Sequence, residues 1–305
     1  MNFFIKHKKN IIFILTSYFV VYFIYRFNFD LIKNLKFNLT IFEIILIVLF
    51  KILSLILISF RWSLVSSFFN FNLNFLNCFK QITFGQFFSI FIPSSIAIDY
   101  FKIKGLMKLN LKTDLPVAAG VDFFDRIIGV SSFVILNSFF VIIFFINNFS
   151  VFYIMLFFFL TLISISFFIF FITKLLNSSK KIALNKKNKL KINYKNISII
   201  IFLGLTSHFM DLMSLLFVSN SIFDFPIINQ LSMISASQFS LLFSITPSSI
   251  GISENFFQLI FNFFQNNSSS INAFNIPLVI RIVNYILLSI LTIIMLFIFK
   301  SKYYK

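Results

Sequence analysis

The chain of 305 residues is poor in most of what a water-soluble enzyme uses: one cysteine, two histidines, nine acidic residues, and a charged fraction of 11%. The lone Cys78 excludes an internal disulfide and any CxxC pair. The only histidine besides His208 is His7 near the N-terminus, which leaves too few ligands for a metal site. No GxSxG, HExxH, phosphate-binding glycine loop or dinucleotide fingerprint occurs, so an enzyme has no positive motif here and no cofactor is called for. A soluble domain carries about 25% charged residues. This chain has too few to cover a globule with polar surface, and a membrane is its solvent.

What the chain has in excess is apolar length. Hydrophobic residues make up 59% and aromatic residues 20%, including 52 Phe, and the mean hydropathy is +0.97. Runs of about 20 apolar residues, enough to cross about 30 Å of hydrocarbon as helix, account for most of the sequence. The alternation of a membrane β-barrel is absent. The expected fold is an all-α polytopic membrane protein, one integral membrane domain over 1–305 with no soluble domain. The net charge of +17 does not indicate nucleic acid, because the lysines sit in short segments between apolar runs and not on an aromatic-studded polar face.

Eight hydrophobic blocks follow one another: Ile11 to Phe27, Leu39 to Phe60, Phe75 to Ile98, Val117 to Ile146, Phe149 to Thr173, Ile197 to Ser219, Ile228 to Phe264 (interrupted) and Pro277 to Phe299. The first lacks a small-residue cleavage site and reads as an uncleaved span. Two basic loops, one with Lys102, Lys104, Lys108 and Lys112 and one with eight lysines from Lys174 to Lys195, fall in the cytoplasm by the positive-inside rule. With the cationic N-terminus also inside, Arg61 at the end of the second block is cytoplasmic. Both basic loops stay inside only if the third block turns back, and the C-terminal lysines return only if the seventh does. This gives about six full spans plus two re-entrant broken helices, in a multi-pass protein of the cytoplasmic membrane with both termini cytoplasmic.

The two re-entrant blocks carry the same words. Pro93-Ser94-Ser95-Ile96-Ala97-Ile98-Asp99 matches Pro247-Ser248-Ser249-Ile250-Gly251-Ile252-Ser253-Glu254, and Phe88-Ser89-Ile90 matches Phe243-Ser244-Ile245. Interrupted segments at corresponding places in two inverted halves, here about 1–148 and 149–305, point to a transporter's midplane site. Proline breaks a helix and the serines after it can cap the next one. The new N-terminus, with unpaired N–H groups and about half a positive charge, suits a phosphate or carboxylate. A simple kink satisfied by neighbouring helices is the plainer alternative.

Charges inside the apolar blocks cost about 3 kcal/mol or more each at the bilayer centre and normally face a bundle interior. They are Glu43, Lys51, Asp99, Asp122, Asp125, Arg126, Asp211, Glu254 and Arg281. Asp122 and Arg126, four apart, can pair along one helix, with Gly129 admitting another helix nearby. Lys51 calls for an acidic partner within the bundle. His208 and Asp211, three apart, can form a buried pair with a packing role, and Arg281 reads as an interface anchor. Asp99 and Glu254 fall in the first turns of the two new helices, where a carboxylate is electrostatically favoured or where it could hold a cationic head-group or exchange a proton.

Arg61-Trp62, Pro93 through Asp99 to Lys102, Asp125-Arg126-Ile127-Ile128-Gly129, and Pro247 through Gly251 to Glu254 together resemble the lysylphosphatidylglycerol synthase transmembrane region, a flippase-like family, over nearly the full length. Ala97, Ile98 and Lys102 stand where that family's first motif has glycines and an arginine, Ser253 where many members have arginine, and Ser248 and Ser249 where glycines are common. The resemblance implies movement of a phospholipid or lipid-linked molecule, with Ser94, Ser95, Asp99, Lys102, Asp125, Arg126, Ser248, Ser249, Gly251 and Glu254 as the expected substrate contacts. With the sequence ending in Tyr303-Tyr304-Lys305, no lysyl transfer to lipid is expected despite the family name. Protein partners are not specified, and a membrane-embedded enzyme or accessory subunit of glycolipid or polysaccharide assembly is the rival expectation.

Overall fold

A computed structural model describes residues 39–92, 94–109, 114–148, 194–223, 225–243, 252–264, 273 and 275–300. The first and fifth hydrophobic blocks and most of the second basic segment lie outside these residues. The described part is helical throughout: α1 Ile41–Phe68, α2 Phe75–Phe88, α3 Ser94–Leu109, α4 Leu115–Asn148, α5 Tyr194–Asn220, α6 Ile227–Gln238, a 3-10 turn Phe239–Phe243, α7 Ile252–Phe264 and α8 Asn275–Lys300.

Local sequence sets these boundaries. Thr40 and Glu43 make a capping box at the start of α1: the Glu43 carboxylate accepts from the Thr40 N–H at 2.7 Å, and the Thr40 hydroxyl accepts from the Glu43 N–H at 3.3 Å. Glu43 is therefore a cap and not a partner for Lys51. Pro116 and Pro277 sit in the first turn of α4 and α8, where a missing N–H costs nothing. Helix α1 runs on to Phe68, well past Phe60, so Arg61 lies within a continuous helix and is only 6% exposed. The expectation that the second block ends at Phe60, with Arg61 at its end, is corrected: the helix continues because the Arg61 charge is buried between helices.

Among the described residues, four helices are long and apolar enough to cross a membrane: Ile41–Phe68, Leu115–Ile143, Asn196–Asn220 and Asn275–Leu296. Their outer faces carry large exposed side chains such as Phe42, Ile45, Phe139, Phe202 and Leu296, as a lipid-facing surface requires. The chain is a multi-pass helical membrane protein. Helix α1 packs most extensively along α5, α4 packs on α5 and α6, and α8 packs on α2 and α5.

The third and seventh blocks behave differently. Helices α2 and α3 have 14 and 16 residues, about 21 and 24 Å at 1.5 Å per residue, too short to cross. They pack antiparallel: Phe84 and Phe88 meet Phe101, and a Cβ on Gly85 would lie 2.8 Å from the Ile98 Cα. The turn between them starts with Ser89 N–H donating to Gly85 O at 3.0 Å. The returning limb extends to Leu109, so Lys102, Lys104 and Lys108 lie on a helix and not in a loop. Helices α6 and α7, 12 and 13 residues long, also pair, with Phe261 near the end of α7 stacked at 5.1 Å on Phe223 just before α6.

Two apolar cores hold this arrangement. One gathers Trp62, Val65, Cys78, Ile82, Leu106 and Phe124 around the first helical pair. The other gathers Ile47, Leu215, Ile234, Phe257, Phe261 and Ile276 around the second. The charged residues meet between them.

Candidate functional site

The most enclosed part of the site centres on Asp125 of α4, which is fully buried. It accepts from Arg61 Nε at 2.8 Å and Nη2 at 3.3 Å, and from Lys102 Nζ at 2.5 Å. Lys102 Nζ also lies 3.1 Å from Asp122 Oδ1, without hydrogen-bond alignment. Asp122 and Asp125, three apart, present both carboxylates on one face of α4. The Lys102 ammonium also sits 4.7 Å above the Trp62 ring, whose Nε1–H donates to Gln81 Oε1 at 2.8 Å. Two cations and two carboxylates thus neutralise one another away from water.

Gly129, one turn beyond Asp125, makes room for this contact: a Cβ there would stand 3.1 Å from two nitrogens of the Arg61 guanidinium. His208 of α5 approaches the same turn and donates from Nε2 to the Gly129 carbonyl at 3.1 Å. The glycine admits helices from both sides, as its position beside the charged residues suggested.

A cavity of about 500 Å³ opens beside this cluster, lined by Arg61, Asp99, Arg126, Asp211, Ser253 and Arg281 among others. Three further ion pairs edge it. Arg126 Nη2 lies 2.9 Å from Asp99 Oδ2. Arg281 pairs with the buried Glu254, while Ser253 donates to Glu254 Oε2 at 3.0 Å and accepts from Arg281 Nη2 at 2.9 Å. Lys51 Nζ contacts Asp211 Oδ1 at 2.7 Å, and the Ser54 hydroxyl donates to Asp211 Oδ2 at 3.1 Å.

The two acid–arginine couples correspond. Asp99 follows the first Pro-Ser-Ser-Ile word and Glu254 the second; each acid lies near the start of a short returning helix, and each partner lies 27 residues further on, in the next long helix.

Several sequence expectations therefore change partners. Arg126 reaches across to Asp99 on α3 and not along its own helix to Asp122, because α3 lies against that face and Asp122 is taken by Lys102. Asp211 bonds Lys51 and Ser54, while His208 bonds a backbone carbonyl, so those two do not pair. Lys51 does find an acidic partner within the bundle. Arg281 is drawn inward by Glu254 and is no interface anchor. Lys102 is 4% exposed and locked between carboxylates, not open to the cytoplasm.

Of the expected contact residues, Asp99, Lys102, Asp125 and Arg126 come together, and Glu254 is buried and paired with Arg281, which lines the same cavity. Ser94 and Ser95 open α3, but their side chains, like Ser248, Ser249 and Gly251, lie outside the described residues. Arg61, Lys51, Asp211 and Arg281 were missing from the expected contacts. Three of them were legible as charges within apolar runs; Arg61 was hidden by its place at a block's apparent end. Among the described residues no three His, Cys, Asp or Glu side chains converge as metal ligands.

A bundle of apolar helices around a cavity of mutually neutralised charges, with two pairs of short helices beside it, defines a polytopic membrane protein. The family model for the Lysylphosphatidylglycerol synthase TM region matches residues 10–292, and the chain belongs to that family. Among curated proteins no sequence matches it.

Proposed function

We propose that this protein is a flippase-like transporter that moves a phospholipid or lipid-linked molecule across the cytoplasmic membrane. In this reading α2–α3 and α6–α7 are re-entrant hairpins in two inverted halves, six other segments span fully, and both termini are cytoplasmic. The observation that carries it is the pair of equivalent acid–arginine couples, Asp99–Arg126 and Glu254–Arg281, on one cavity. Inverted repeats whose broken helices meet at one cavity are the usual build of a transporter's binding site.

Charge balance supports a head-group substrate. Five basic groups, Lys51, Arg61, Lys102, Arg126 and Arg281, face five acidic ones, Asp99, Asp122, Asp125, Asp211 and Glu254. A phosphate drawn to Arg126 must displace Asp99, and a carboxylate left unpaired inside the bundle is costly. A head-group amine that moves onto Asp99 as the phosphate moves onto Arg126 keeps the count neutral. The acids are engaged by arginines and lysines, and the proposal includes no covalent step.

The test is reconstitution into vesicles of phosphatidylethanolamine and phosphatidylglycerol with trace fluorescent phosphatidylglycerol or phosphatidylethanolamine, followed by quenching of the outer leaflet. The protein should carry probe between leaflets, and Arg126→Gln should slow it. Rates no faster than in protein-free vesicles for both probes would reject transport of these lipids and with it this reading.

A further inference from the structure

Two of the side chains without a hydrogen-bond partner among the described residues share one cavity. Gln86, near the end of α2, and Asn284, in α8, make no side-chain hydrogen bond among the described residues, yet both line a second, smaller cavity of about 170 Å³ with Ser54, Lys51 and Asp211. Lys51, Asp211 and Asn284 also line the large cavity. The Lys51–Asp211 pair therefore stands between the two.

Resting on the transport reading above, we infer that this side chamber receives the neutral, hydroxyl-bearing part of the lipid head-group while the phosphate stays with the arginines of the large cavity. Its chemistry selects for that occupant. Among the described lining residues the only ionised groups, Lys51 and Asp211, cancel each other at 2.7 Å, so neither a phosphate nor an ammonium gains by entering. Gln86 and Asn284 each offer a donor and an acceptor without charge, and Ser54, whose hydroxyl donates to Asp211, offers an acceptor, which together complement a hydroxyl. Carboxamides left unpaired at membrane depth are costly, so the chamber is filled by water or by groups that mimic water. At about 30 Å³ per water, the space matches several waters or a glycerol-sized polyol. Hydroxyls on a tethered head-group can replace those waters bond for bond, whereas an alkyl group cannot.

The experiment measures binding of two short-chain lipids to the full-length protein in detergent: phosphatidylglycerol and phosphatidylpropanol, which share phosphate and charge but differ in the two hydroxyls. Phosphatidylglycerol should bind about tenfold tighter, the sum of one or two net hydrogen bonds. The variant Gln86→Leu, at a side chain that lines the side chamber and not the large cavity, should cut the preference to about threefold while leaving phosphatidylpropanol affinity unchanged, which also reports that the variant is folded. Equal affinities in the wild type, no binding of either lipid, or a full preference that survives in the folded variant each overturn the inference. If the variant does not fold, the wild-type comparison alone decides. Leaflet-to-leaflet transport is read separately in vesicles: transport without hydroxyl preference removes the side-chamber assignment alone, and preference without transport removes the transport reading.

Discussion

Asp99–Arg126 and Glu254–Arg281 are the same device in two environments. The sequence word, the position near the start of a short helix and the separation of 27 residues all correspond. The surroundings do not: the side chains of the first couple are 25% and 40% exposed, those of the second 0% and 13%. An exposed pair contributes about 0–1 kcal/mol and exchanges readily with other charges. A buried pair adds little over an apolar equivalent, yet loss of one member costs about 3–5 kcal/mol because the other is stranded. The same acid–arginine chemistry thus gives one couple that separates at low cost and one that holds α7 to α8.

The largest effect belongs to the charge cluster more buried than either couple. Asp125→Asn leaves Arg61 and Lys102 with only Asp122, and should destabilise the protein by about 5 kcal/mol, the upper end for an orphaned buried charge. Denaturant-induced unfolding in detergent measures this; a loss under about 1 kcal/mol contradicts the burial argument. Next comes Glu254→Gln, which strands Arg281 but leaves Ser253 beside it, at about 3 kcal/mol by the same measurement. A smaller loss there than in Asp99→Asn reverses the contrast between the two couples.

Gly85→Ala tests how tightly the first helical pair is closed. The added methyl would stand 2.8 Å from the Ile98 backbone, so α2 and α3 must separate, and overpacking of this kind costs about 1–3 kcal/mol, partly offset by alanine's better helix propensity. No loss, or a gain in thermal stability, would mean that the pair has slack. Because Asp99 directly follows Ile98, the same substitution should also lower transport.

The membrane class, the boundaries of three of the four long helices and the interruption of two blocks were legible in hydropathy and in the repeated Pro-Ser-Ser-Ile word. The acids were legible as well, since a carboxylate in an apolar run needs a partner. Who pairs with whom was not. Spacing along one helix favoured Asp122 with Arg126 and His208 with Asp211, yet contacts between helices prevailed: α3 brings Asp99 to Arg126, and α1 brings Lys51 to Asp211. Arg61 was misread for a related reason. Hydropathy falls at a buried arginine as it does at a helix end, and only the packing of α1 against α4 and α5 distinguishes the two.

The smallest effect on stability falls on Asp99→Asn, and it is the most informative about function. Arg126 is already 40% exposed, so losing its partner lets the guanidinium turn to water, at about 0.5 kcal/mol, within the range of exposed pairs. If the couple exchanges partners with a head-group, the same change should slow lipid transport about tenfold, equivalent to about 1.4 kcal/mol in the barrier. Glu254→Gln should show the reverse order, a large loss of stability and, in the fraction that remains folded, a smaller loss of rate. Melting curves and vesicle transport on the same preparations separate the two cases. An Asp99→Asn protein that is as stable and as fast as the wild type would mean that the exposed couple is a surface ion pair with no part in binding, despite its equivalence in sequence to the buried one.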